Sequence, residues 1–259
     1  SKIAVYRGIA LWIGGILGAL CLVVFPGSQW LLAASLIACS GLVSYVWMRG
    51  RGEAQHRLPE ILALRQGLDV LRRTPALRWA MAASVLFVLY WVVQLQWAAV
   101  SFQRDGTGWF LLTWTLSSLG FSLGGYITRW FHERGEKSIF LSIVLLFIVL
   151  LILPVAGHWL TPILLFGWRL TRGLFEPTLT IFVQSRIESG YRATYVSMQS
   201  LVTRIGAFCL FLVIGLWSDA VDYRRAVRDT YFLSAAALLI GGSLLFAWFW
   251  RRRKQFSSV

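Results

Sequence analysis

Arg169, Arg172 and Glu176 lie within GWRLTRGLFEP (Gly167–Pro177), inside an apolar run from about Trp159 to Val183. Offsets of three and seven residues put them within about 60° of one another on one helix face. A charge at the bilayer centre costs about 3 kcal/mol or more, so this face must look into protein or water. The chemistry open to it is electrostatic. Guanidiniums hold anions, and a carboxylate can neutralise one of them or take up a proton.

The next apolar run repeats the pattern. Ser197, Ser200 and Arg204 have the same spacing, with Gln199 and Thr203 beside them. Arg204 falls about a dozen residues into its run, near mid-bilayer depth. Two successive antiparallel spans would then offer polar faces at one depth, the expected wall of a transport pathway. Arg169 and Arg204 are expected to face it, with Glu176 pairing with Arg172 or accepting a coupling proton. Tyr90 and Gln94, in the run from Trp79 to about Phe102, join Gln199 and Ser200 as expected lining. A glutamine in a span needs a partner, which for Gln94 is either a neighbouring helix or a ligand. The structural alternative for the charges is an Arg–Glu pair that only holds two helices together.

The elements that must position these residues are membrane helices. Hydrophobic residues make up 58% of the 259, only 14% are charged, and the mean hydropathy is +0.67. A soluble domain would carry about a quarter charged residues. The formal charge of +14 does not point to nucleic acid, because of where it lies. Of 25 Lys and Arg, 18 fall in one set of alternate loops, four in the other and three within spans. That asymmetry is the positive-inside pattern, and it places both termini in the cytoplasm. Three single cysteines, Cys21, Cys39 and Cys209, read as small buried packing residues rather than a disulfide or metal site. No metal or cofactor is expected.

In order, the chain reads as an all-α polytopic bundle of about eight spans. Residues 1–48 hold two of them, and residues 49–78 form a cytoplasmic linker. In the linker Ile61, Leu64, Leu68 and Leu71 repeat at helical spacing against charged neighbours, an amphipathic surface helix ended by Thr74-Pro75. Residues 79–250 carry six spans, with an outer turn expected at Gln103–Gly108, and residues 251–259 form a basic tail. The fifth span, Ser138–Val155, is apolar all round and is expected to face lipid over much of its surface.

Three stretches carry a family resemblance. GGYITRWFHERGEK (Gly124–Lys137) resembles the inner-loop signature of the major facilitator superfamily, with Arg129 where an acid is usual. LDVLRRTPALRW (Leu68–Trp79) is similar to the entry of that family's seventh helix. ESGYRATYVSMQSL with the later GLWSD (Gly215–Asp219) is similar to its tenth-to-eleventh loop and eleventh helix. The resemblance implies helices five to twelve of twelve, with four helices of the first bundle missing. It also implies an exporter-like secondary transporter working by alternating access in the bacterial inner membrane, with Arg129, Lys137 and Arg192 in its gating inner loops. Drug export itself fits less well, since no proline follows Gly14 or Gly18 in the first span.

The excess of intramembrane arginine over glutamate points to an anionic or zwitterionic small molecule, unless absent helices supply carboxylates. Partners are then membrane lipids, that substrate and the missing helices. A non-transporting scaffold is the alternative. A membrane-embedded enzyme on a lipid-linked substrate is weaker, because no nucleophile, metal cluster or acid/base pair gathers near an interface.

Overall fold

The computed structural model describes residues 68–131, 135–157, 159–187, 189–221 and 223–252. The two expected spans of residues 1–48, Cys21, Cys39 and most of the linker lie outside the described residues. All the described elements are helical: residues 68–73, then α1 (Pro75–Leu86), α2 (Tyr90–Ile127), α3 (Gly135–Ile152), α4 (Thr161–Gln184), α5 (Ser189–Ala220) and α6 (Tyr223–Arg251). A 3₁₀ turn, Phe87–Leu89, joins α1 to α2. Thr74 is extended, as a residue before proline must be, and Pro75 opens α1 at a position that needs no N–H.

Four stretches are long and apolar enough to cross a membrane: Pro75–Gln94, Gly135–Val155, Tyr191–Ala220 and Arg225–Arg251. The 24-residue α4 carries three charges in its middle, which sets it apart from these four. Helices also replace much of two expected loops. α5 begins at Ser189, and α6 starts at Tyr223, inside the loop expected over Ser218–Asp229.

Contacts along α4 fix the directions of its neighbours. Trp79 meets Phe182, Phe87 stacks on Phe175 at 3.9 Å, and Tyr90 stacks on Trp168 at 4.6 Å, so α1 and the start of α2 run against α4. Further on, Trp109 meets Trp159, Gly120 abuts Phe166, and Gly124 abuts Leu170 and Gly173. This later part of α2 runs with α4. A straight helix would separate Tyr90 from Gly120 by about 45 Å, yet both lie against the two turns Phe166–Gly173. The helical run therefore reverses direction between Gln94 and Trp109, where the sequence places an outer turn.

α3 opposes α4 through Ser138–Thr178 and Val149–Gly167. α5 runs with α1 through Tyr195–Leu77 and Gln199–Ser84, and α6 runs against it through Leu245–Trp79 and Gly241–Leu86. Six legs thus alternate in direction from Pro75 to Arg251.

One end of the core is built on Trp79, fully buried among Phe140 of α3, Phe182 of α4 and Phe249 of α6. Its indole N–H donates to the Leu245 carbonyl at 3.3 Å. The tightest seam joins α2 to α4. A Cβ on Gly120 or Gly173 would strike a backbone carbonyl of the facing helix, so only glycine permits this approach. α3, featureless in sequence, buries Ile139, Ile143, Leu146 and Leu150 and exposes Leu141, Val144, Ile148 and Leu151.

Candidate functional site

α4 carries the charged face into the core. Trp168, immediately before Arg169, is wholly buried, and its indole N–H donates to the Tyr90 carbonyl at 3.1 Å. That bond pins α4 to the start of α2. Pro177 removes the N–H that would bond the Gly173 carbonyl, at the level where Gly173 packs on Phe121 and Gly124.

The two guanidiniums rest on aromatic rings from both parts of α2 and from α4 itself. Arg169 Cζ lies 4.5 Å from the Trp168 ring centre and 5.5 Å from that of Trp114. Arg172 Cζ lies 5.3 Å from Tyr90 and 5.1 Å from Trp91. Arg172 Nε donates to Glu176 Oε1 at 2.6 Å. Desolvated cation–π contacts contribute up to about 2 kcal/mol each, so two per guanidinium offset the about 3 kcal/mol insertion cost.

Exposure rises along this face. Arg169 is 6% exposed, the Arg172 side chain 14% and the Glu176 side chain 35%. Access from outside is therefore at the Glu176 end. At the inner end, among the described residues, Arg169 has no carboxylate within ion-pair distance, and its buried Nε has no hydrogen-bond partner. The Tyr90 hydroxyl interacts with both guanidiniums, though neither contact has good hydrogen-bond geometry. One turn further along α2, Gln94 Oε1 is buried and unpartnered.

The structure thus brings together Tyr90, Gln94, Arg169, Arg172 and Glu176. It does not add the α5 residues. α5 packs on α1 and α6 rather than on α4, so the shared spacing does not become a shared wall. Arg204 and Ser197 are exposed on α5, and Ser200 is half-buried apart from the cluster. Gln199 Nε2 donates to Ser84 Oγ at 2.6 Å, a helix-to-helix bond between α5 and α1. Cys209, expected as a buried packing residue, is exposed on the same helix. The Arg172–Glu176 pair also differs from a tie between two helices, because both partners belong to α4.

The expected gating residues sit at one end of the bundle. Arg129, in the 3₁₀ turn Thr128–Phe131, lies over the Tyr126 ring, Lys137 is exposed near the start of α3, and Arg192 Nε donates to the Ile187 carbonyl. Among the described residues the firmest link there is one the sequence did not mark: Arg186 Nη2 to Glu136 Oε1 at 3.1 Å. Burial lowers the Arg186 guanidinium from its ordinary value, with Glu136 opposing the shift. The tryptophans Trp91, Trp114 and Trp168 were also missed. An aromatic next to an arginine is the available signal, but it covers only Trp168.

Among the described residues no three His, Cys, Asp or Glu side chains gather into a metal-holding group. The fold and site define an all-helical chain with four helices apolar enough to span a membrane and a charged face inside, which fits an integral membrane protein. Comparison with protein-family models, characterised proteins and solved structures gives no match.

Proposed function

We propose that the chain is a secondary active transporter of a small molecule, built on the plan of the major facilitator superfamily and working by alternating access. The observation that carries this reading is the charged face of α4, buried beside two legs of the bundle and reached from the Glu176 end. Supporting it, six legs alternate in direction over the stretch that resembles the family's second bundle. In this reading both termini are cytoplasmic in a bacterial inner membrane, and transport is outward. Residues 1–48 belong to an incomplete first bundle, and Arg129, Lys137 and Arg192 serve the inner gate. Glu176 is the group able to exchange a coupling proton, because it alone among the three charges is a carboxylate with substantial exposure.

Flux in sealed proteoliposomes tests the proposal. Vesicles holding the protein are loaded with labelled organic acids and amino acids, and release is followed with and without a proton gradient. Transport predicts release of at least one solute above protein-free vesicles, strongly reduced in Arg172→Gln. Release equal to protein-free vesicles for every solute, under both conditions, would overturn it.

A further inference from the structure

We infer that the inner end of the α4 face is a binding site for a singly charged organic anion, a carboxylate with a flat apolar body, held by Arg169. The inference deepens the transport reading by naming the ligand class. Binding can nevertheless be measured in detergent, with no gradient and no vesicle, so the two can fail separately.

Three observations combine. Arg169 is 94% buried, being 6% exposed, and its Nε has no hydrogen-bond partner, while its neighbour Arg172 is neutralised by Glu176. Arg169, Arg172 and Glu176 together leave one positive charge, which a monoanion balances and a dianion exceeds. Further, a guanidinium held over rings keeps its N–H donors in its own plane, the arrangement a planar carboxylate accepts in bidentate fashion. Finally, the surroundings are aromatic. Trp168 and Trp114 flank Arg169, Trp91 and Tyr90 flank Arg172, and both Trp91 and Trp114 are only half-buried. Such walls favour a flat apolar group over a hydrated one. Gln94 Oε1 and the Tyr90 hydroxyl lie buried on the same stretch of α2, with unmet hydrogen-bonding capacity. The graded exposure gives the route, past Glu176 and Arg172 to Arg169.

The probe is benzoate, with benzamide as its neutral counterpart and chloride at equal ionic strength as the salt control. The full chain in detergent is titrated while thermal unfolding and tryptophan fluorescence are followed. Benzoate should raise the melting temperature and change the fluorescence, and benzamide and chloride should do neither. Arg169→Gln should weaken benzoate binding by about tenfold or more, while Arg169→Lys keeps part of it. Glu176→Gln, at the exposed end, should strengthen benzoate binding and admit the dianion phthalate, a response that a purely structural arginine would not give. Equal effects of benzoate and benzamide, or no benzoate effect at millimolar concentration, would overturn the assignment. So would an Arg169→Gln protein that elutes as a single species and still binds benzoate. If Arg169→Gln does not fold, Glu176→Gln decides alone, and unchanged or weaker benzoate binding there would also overturn it.

Discussion

The Trp168 indole N–H reaches the backbone carbonyl of Tyr90 at 3.1 Å, and the two rings stack with centroids 4.6 Å apart. Through this one pair, α4 is held to the segment that supplies Tyr90, Trp91 and Gln94. Arg169 and Arg172 follow Trp168 on the same helix, so the pair also sets where their guanidiniums lie. Trp168→Phe keeps most of the ring and loses the donor. It should cost about 1 kcal/mol of stability, whereas Trp168→Ala should cost about 3–5 kcal/mol. Thermal unfolding in detergent reads both, and equal losses would contradict the role given to the hydrogen bond.

Glycines separate into two kinds. Gly120 and Gly173 face backbone carbonyls across the α2–α4 seam, and Gly215 of α5 has open space where a Cβ would go. Gly173→Ala should destabilise by about 1–3 kcal/mol through overpacking. Gly215→Ala should be neutral or stabilise by up to about 1 kcal/mol, because alanine loses less backbone entropy in a helix. Opposite signs in the melting temperature are the expected result.

Glu136 and Arg186 join the start of α3 to the turn after α4, with side chains 22% and 17% exposed. Breaking a mostly buried pair leaves a charge without its partner, so Glu136→Gln should cost about 1–3 kcal/mol. The double variant Glu136→Gln with Arg186→Gln should lose less than the two single losses added together. A double-mutant cycle measures that coupling, and strict additivity would show the contact to be idle.

Gln199 and Ser84 form the described side-chain hydrogen bond between α5 and α1. Such bonds between membrane helices contribute about 0.6 kcal/mol on average. Ser84→Ala and Gln199→Leu should each lower stability by about that amount and show coupling when combined. Neither should change benzoate binding at Arg169, since Gln199 does not reach the α4 cluster. A loss of binding in Gln199→Leu would place α5 at the site after all.

By itself, the sequence determined the class of the chain and the charged face of α4. An 18-residue apolar window can be satisfied without water only as a helix, and spacings of three and seven then align Arg169, Arg172 and Glu176 whatever surrounds them. It also marked the reversal near Gln103–Gly108, which the contacts of Tyr90 and Gly120 require even though the helical run is unbroken.

Periodicity has no view of which helices become neighbours. Arg204 and Arg169 share a pattern and a depth, yet α5 packs on α1 and α6, and only the tertiary structure separates them. The same holds for α3, whose uniform apolar sequence gives no buried face until Ile139, Ile143 and Leu146 meet α4 and α6. Above all, the rings that hold the arginines come from residues 54 to 82 positions away, as with Trp91 and Arg172 or Tyr90 and Arg172, or 55 away for Trp114 and Arg169. Contacts of that separation depend on where the chain folds back, and composition and spacing carry no record of it.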